Sequence, residues 1–186
     1  MSLLSYISTI IPISKVLEKE IASISKEISV SKNTSLIKNG DHCRDLYFVK
    51  KGLLRGYYYD EGKEITHWFA FEDEFATSFY SFITNETSQE TIEALEDCEL
   101  IKISHTDLQN LYTKFPETER VGRIITETYY IHLEERFLNI QFKSAKERYQ
   151  NLIEKNPSLI QRASLGQIAT YLGITQETLS RVRAEK

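Results

Sequence analysis

Gln176, Glu177 and Arg181 lie within one short stretch near the C-terminal end of the chain. On a helix advancing about 100° per residue, Leu179 and Val182 define one side, and Glu177, Ser180, Arg181 and Ala184 fall roughly opposite. Gln176 and Thr178 flank that outer face near its start. An arginine can donate two hydrogen bonds to guanine, a glutamate can accept from cytosine, and a glutamine can pair with adenine or brace its neighbours. A good bidentate pair supplies about 1–3 kcal/mol of discrimination between bases. Arg183, Lys186 and the capped helix ends suit phosphate oxygens instead. The plainer alternative is a helical hairpin whose polar residues are merely solvated.

Catalytic chemistry finds little support. No Ser/His/Asp set has a recognisable spacing, and there is neither a phosphate loop nor an HExxH motif, so no enzyme is expected. Glu134-Glu135 belong to a helical stretch and read as solvent-facing or seam residues. Cys43 and Cys98 are too few for a disulfide framework and too far apart for CxxC chemistry. An iron–sulfur cluster needs about four cysteine ligands. His42, His67, His105 and His132 show no grouping that marks a haem ligand, and no metal site is expected.

The polar face needs a scaffold, and residues 163–183 provide one. Ser164 can cap a first helix whose apolar face is Leu165, Ile168, Ala169 and Leu172. Ala169 is small where a second helix would cross closely. Gly173 permits a left-handed turn residue, Ile174 plugs the angle, and Thr175 caps the second helix. Leu179 and Val182 then face the first helix, which is helix-turn-helix spacing.

Three segments precede or carry this unit. Residues 1 to about 27 read as helical, with Ile13, Val16, Leu17, Ile21, Ile24 and Ile28 stepping by three and four and Pro12 suited to a first turn. From about Ile28 to Ser104 the pattern is short strands: Leu46–Val49, then Leu53–Tyr59 and Glu64–Phe71 joined as a hairpin by Asp60-Glu61-Gly62-Lys63, then Thr91–Leu95 and Glu99–Ile103. Ile65, His67, Phe69 and Phe71 are expected on one face. Strands so short and evenly spaced suggest an antiparallel barrel or roll. Thr106 can cap a short helix ending near Pro116, and a long helix follows from about Glu117 to Glu147.

Along that helix Val121, Ile124, Thr128, Ile131, Glu135, Leu138, Phe142 and Ala145 alternate steps of three and four, a heptad seam. A parallel homodimer is preferred over a helix lying on the protein's own core, because one small roll can hardly cover so long a helix. Thr128 and Glu135 weaken the seam and are candidates for setting its register.

Composition bounds the answer. The chain has 186 residues, 41% hydrophobic and 27% charged, which is ordinary for a globular protein and excludes disorder and fibre. No apolar run is long enough to span a bilayer, and the first residues lack the features of a signal peptide, so a cytoplasmic protein without membrane partners is expected. Net charge is −4, yet Lys143 to Lys186 hold eight basic against four acidic residues. Phosphate contact needs only such local positive charge.

These parts, in this order, resemble the catabolite-activator/Fnr-type (Crp/Fnr) transcription regulators. The resemblance rests on Gly40-Asp41, Leu46-Tyr47-Phe48-Val49-Lys-Lys-Gly52, Glu99-Leu-Ile-Lys-Ile-Ser104, the long helix and Ile168 to Arg183. It implies an α+β fold: a cyclic-nucleotide-binding-type β-roll over 1–116, a dimerisation helix over 117–145 and a helix-turn-helix DNA-binding unit over 146–186. It implies double-stranded DNA, a second copy of the chain, RNA polymerase and a small effector of unknown identity as partners. Gln176, Glu177 and Arg181 fall on the family's base-reading positions. Thr178, Ser180 and Arg183 complete the candidate DNA-binding set, and Val121, Ile124, Thr128, Ile131, Leu138 and Phe142 the dimer seam.

The sequence departs from the family at the sensor. Counting back from Glu99–Ser104, the family's Gly-Glu ribose pair falls at Thr77-Ser78 and its Arg-Ser/Thr phosphate pair at Ser88-Gln89. Both the glutamate and the arginine are missing, so tight binding of cyclic AMP or cyclic GMP is not expected. The pocket could stand empty or hold an apolar or aromatic ligand against Phe75, Phe79, Tyr80 and Phe82; alternatively these aromatics simply fill the roll. A wing after the recognition helix has no strands to form it, so any wing must come before Ser164, or the unit is minimal or truncated.

Overall fold

The computed structural model describes residues 1–184. Two short helices open the chain, α1 (Leu3–Ser8) and α2 (Lys15–Ile24). The hydroxyls of Ser2 and Ser14 accept from the backbone N–H groups of Ser5 and Leu17 and so cap them. The single helix expected over 1–27 is thus broken, and Pro12 lies in the break rather than in a first turn.

Eight strands follow: β1 (Lys26–Val30), β2 (Ser35–Ile37), β3 (Asp45–Lys51), β4 (Leu54–Asp60), β5 (Lys63–Ala70), β6 (Phe75–Ala76), β7 (Thr91–Ala94) and β8 (Cys98–Ser104). They form two four-stranded antiparallel sheets, ordered β1-β8-β3-β6 and β2-β7-β4-β5. A short helix, α3 (Phe79–Thr84), interrupts the roll between β6 and β7. Val49, Leu54, Ala94 and Leu100 have no exposure and form the roll interior with Tyr47, Ala70, Ala76 and Cys98.

The β4–β5 hairpin turns on Glu61 and Gly62, both at positive φ. A bulge shifts its register, pairing Gly56 with Trp68 but Tyr57 with Thr66. The extra residue is His67, and it flips the alternation of side chains. The expectation that Ile65, His67, Phe69 and Phe71 share one face is therefore corrected. Ile65 pairs with Tyr58, whose ring also meets His67, whereas Phe69 and Phe71 pack against the C-terminal helices.

Ser104, not Thr106, caps α4 (His105–Lys114), accepting from the N–H of Asp107. A single 3₁₀ turn at Pro116–Thr118 leads into α5 (Glu119–Phe142). Helices α1, α2, α4 and the start of α5 cover the first sheet through Leu3, Leu17, Ile21, Phe48, Leu111 and Val121. The long helix stops at Phe142 rather than near Glu147. Ser144 and Glu147 form a reciprocal capping box that starts α6 (Ala145–Lys155) instead.

The chain ends in α7 (Leu159–Arg162), α8 (Leu165–Tyr171) and α9 (Gln176–Ala184). With Leu152 of α6, their core of Leu159, Ile168, Ala169, Leu172 and Leu179 is continuous with Leu53 and Leu95 of the roll. Truncating the fully buried Leu159 or Leu179 to Ala should cost about 2–5 kcal/mol. Between Phe142 and Ser164 the chain forms only helices, so no wing strand precedes the first helix of the motif. No helix among the described residues is long and apolar enough to cross a membrane.

Candidate functional site

The C-terminal motif is built from two caps and one turn. Ser164 accepts from the N–H of Gln167 while the Gln167 side chain accepts from the N–H of Ser164, a second capping box. Gly173 stands at φ +64°, where a side chain would be strained. Thr175 accepts from the N–H of Thr178 and so starts α9. Leu179 and Val182 are buried, whereas Gln176, Glu177, Ser180, Arg181 and Arg183 are exposed.

The exposed residues are not equally free. Thr178 is half-buried, and its hydroxyl accepts from that of Thr175. The Gln176 amide lies over Gly166, so close that a β-carbon there would sit 2.6 Å from its Nε2. Glu177 is held below the usual carboxylate range by its own backbone N–H and the Thr175 hydroxyl. Among the described residues, Ser180, Arg181 and Arg183 project without such ties. Lys186 lies outside the described residues.

The sensor positions separate into three places. Ser78 and Ser88, ten residues apart in sequence, have hydroxyls 2.9 Å apart, and the Ser88 hydroxyl is also 2.8 Å from the Glu90 carbonyl. The Glu90 carboxylate takes hydrogen bonds from Ser78 and from the Trp68 indole N–H, the latter at 2.8 Å. Thr77 donates to the Asp45 carbonyl and contacts Cys43 Sγ at 3.2 Å. Thr77, Ser78, Ser88 and Glu90 are all buried. Burial pushes the Glu90 carboxyl up to about 7. Sequence reasoning missed Glu90 and Trp68.

Other expected pocket residues lie elsewhere. Tyr80 and Gln89 are exposed, because α3 turns Tyr80 outward and Gln89 alternates away from buried Ser88 and Glu90. Phe82 meets the His105 ring edge-on. Phe75 packs with Tyr6 and Phe48, and Phe79 stacks on Tyr129 of α5 at 4.1 Å.

Phe75, Thr77 and Phe79 border a different space. A cavity of about 360 Å³ lies between β5–β6, α5 and the C-terminal helices. Its wall includes Phe69, Phe71, Tyr129 and Tyr171, and its polar lining includes Glu74, His132, Arg136 and Arg148. Arg136 donates to the Thr66 carbonyl at 3.1 Å and lies over the Tyr171 ring. Arg148 donates to the Leu172 carbonyl at 2.7 Å. Burial raises the Glu74 carboxyl and, with the Arg136 charge second, lowers His67 to about 4.

The expected dimer seam is divided. Val121 belongs to the chain's own core, so it is removed from the seam. Ile124 is half-buried, while Ile131, Leu138 and Phe142 are exposed by 52%, 44% and 75%. Thr128 donates to the Ile124 carbonyl, and Glu135 is paired with Lys155 of α6 at 2.7 Å. Ala145 lies past the helix end.

The C-terminal helices are clasped to the roll. Arg162 bonds both Glu72 and Glu96, with shortest distances of 2.8 and 2.6 Å. Thr170 of α8 donates to Thr66, which accepts from buried Arg55, itself paired with Glu64 and Glu93. Cys43 and Cys98 are buried free thiols, and among the described residues no group of three or more His, Cys, Asp or Glu could hold a metal.

Residues 27–115 match the cyclic nucleotide-binding domain family. No curated protein matches the sequence. Among solved structures the chain is similar to FixK2 from Bradyrhizobium japonicum, with 21% identity over 87% of this chain and 84% of that one and a TM-score of 0.76. It is similar to the c-di-GMP-responsive global regulator CLP of Xanthomonas campestris, with 18% identity, 91% and 89% coverage and a TM-score of 0.72. A structure from Eubacterium rectale, described as a Crp/Fnr-family transcriptional regulator, shares 25% identity over 91% of this chain and 82% of that one, with a TM-score of 0.70.

Proposed function

We propose that this chain, which has the α+β architecture of the Crp/Fnr regulators and a cyclic-nucleotide-binding-type roll, is a dimeric, sequence-specific DNA-binding transcription regulator. One observation carries the reading. On α9 the aliphatic side is anchored against the motif's own core, while Glu177, Ser180 and Arg181 face outward together. A helix so held can enter a major groove with its side chains pre-oriented. Arg181 and Glu177 are the base readers in this reading, Arg183 a phosphate contact, and Gln176 a brace against Gly166.

The proposed division of labour follows the fold. The roll over 1–116 is the sensor, 117–145 the dimerisation segment, and 146–186 the DNA-binding unit. Two copies joined along α5 would set half-sites about 34 Å apart. The protein is not an enzyme in this reading and works in the cytoplasm.

In this reading the roll does not bind cyclic AMP or cyclic GMP tightly. One residue of each matched pair, Ser78 and Ser88, is hydrogen-bonded to the other and to Glu90. A cyclic phosphate placed there would lack a charge-assisted partner and would meet a buried carboxyl.

Selection of random DNA fragments by the purified protein tests the reading, repeated with Arg181→Ala. Enrichment of a near-palindromic site by the parent, with relaxed preference at one position in the variant, is the expected result. Weak binding that stays unselective and falls steeply with salt would instead favour a hairpin that docks a protein partner.

A further inference from the structure

The cavity between β5–β6, α5 and the C-terminal helices has no role in the chemistry above. Its volume of about 360 Å³ falls in the range of small-molecule sites, roughly 300–1,000 Å³. It joins an aromatic wall to a small set of polar groups, which is how such sites orient a ligand.

The charges at its lining do not cancel. Lys155 is paired with Glu135, and Asp73 with the N-terminal ammonium of Met1. Among the described residues Arg136 and Arg148 have only neutral partners, the Thr66 and Leu172 carbonyls and the Tyr171 ring. The Nε of each is buried without a hydrogen-bond partner among the described residues. Against these two cations stands Glu74, whose carboxylate accepts from the Phe71 N–H and has its ionisation opposed by burial. His67 adds no charge near neutral pH, since burial lowers it to about 4. The lining is thus short of one negative charge, and its cations are guanidinium groups, which suit a carboxylate.

We propose that this cavity binds a small monoanionic carboxylic acid with an aromatic or aliphatic body, its carboxylate at Arg136 and Arg148 and its body against Phe69, Phe75 and Tyr129. A dianionic phosphate would overcompensate the lining beside Glu74. Because roll, dimerisation helix and DNA-binding helices all contribute walls, an occupant contacts every part whose relative placement sets α9. The role as an effector rests on the regulator reading; the binding site itself does not.

Trp68, the only tryptophan of the chain, lies at the cavity and reports occupancy. Titration with naphthalene-1-acetate and with decanoate, each beside its primary amide, is read by Trp68 fluorescence and by calorimetry on the full chain without DNA. At least one acid is expected to bind tenfold or more tightly than its amide. Arg136→Gln should erase that preference, and Leu133→Trp, which fills the space without removing a cation and is read by calorimetry alone because it adds a second indole, should abolish binding of acid and amide alike. Each variant is first compared with the parent by circular dichroism. Equal affinity for acids and amides, absence of binding by both acids, or retained acid preference in folded Arg136→Gln overturns the proposal. DNA selection is scored separately: acid binding without DNA selection would leave the site standing and remove the regulator reading.

Discussion

The Trp68 indole N–H donates to the Glu90 carboxylate over 2.8 Å, and this bond occupies the part of the roll that Ser78 and Ser88 close from the other side. Glu90 is 3% exposed. A carboxyl so placed resists ionisation, because the hydrogen bonds from Trp68 and Ser78 offset only part of the lost hydration. The roll thereby stores a titratable group near neutrality and places the chain's only indole against it.

Trp68 emission should therefore titrate with a midpoint near the value of about 7 that burial imposes on Glu90. Glu90→Gln keeps an acceptor for the indole and should remove the transition. An unfolded glutamate titrates at about 4.3, so between that value and 7 the folded state retains a proton that the unfolded chain has lost. Folding is weakened as pH rises through this window. His67, lowered to about 4, acts oppositely and loses stability as pH falls below about 6.5. The difference between Glu90→Gln and the parent isolates the carboxyl: small near pH 4, rising to about 3–4 kcal/mol above pH 7. Emission flat from about pH 5 to 9 would place Glu90 outside this range.

Gly56 is the partner that lets Trp68 lie flat. A β-carbon at Gly56 would stand 2.2 Å from the indole Cε2. Gly56→Ala must push the ring aside or distort β4 at its bulge, a cost of about 1–3 kcal/mol by analogy with overpacked cores. A red-shifted Trp68 emission and a lowered melting temperature are expected. An unchanged spectrum would mean that the strand yields and the ring does not.

The helix-turn-helix was legible because each of its steps is a local choice: a cap at Ser164, a glycine at 173, a cap at Thr175 and apolar residues at helical spacing. The end of α5 was equally local. Ser144-Ala-Lys-Glu147 is a capping-box sequence ahead of an apolar helix, and a continuing heptad pattern concealed it. The roll's strands were visible, but the bulge at His67 was not, since alternation carries no mark of an inserted residue. Glu90, Arg136 and Arg148 were invisible for a different reason. Their burial arises from elements distant in sequence, and a charged residue alone reads as surface.

Arg162 should govern how firmly the C-terminal helices sit on the roll. Its guanidinium bonds both Glu72 and Glu96, and these bonds hold Glu72 below the usual carboxylate range despite partial burial. Arg162→Ala leaves two half-exposed carboxylates facing each other beside Leu53 and Leu95. Discounted for their exposure, the loss should be about 1–2 kcal/mol. Faster amide exchange in α7 and α8 with an unchanged rate in β3 and β8 would show loosened docking. Uniform acceleration across the chain would show that roll and helices unfold as one unit.

The exposed stripe of Ile131, Leu138 and Phe142 distinguishes the two fates of the long helix. These residues stand 52%, 44% and 75% exposed, whereas Val121 on the same helix is 7% exposed and already packed. If the stripe is the seam between copies, a charge placed in it should separate them without unfolding either. Leu138→Asp is expected to shift the sedimentation mass from twice 21.7 kDa to that of one chain, with far-ultraviolet circular dichroism retained. Selection of paired half-sites should disappear with the dimer, because one recognition helix reads only one half-site. Val121→Asp should behave differently and unfold the chain, since it buries an unpaired charge. A Leu138→Asp protein that remains dimeric would move the interface off this stripe, and with it the half-site spacing that α5 is proposed to set.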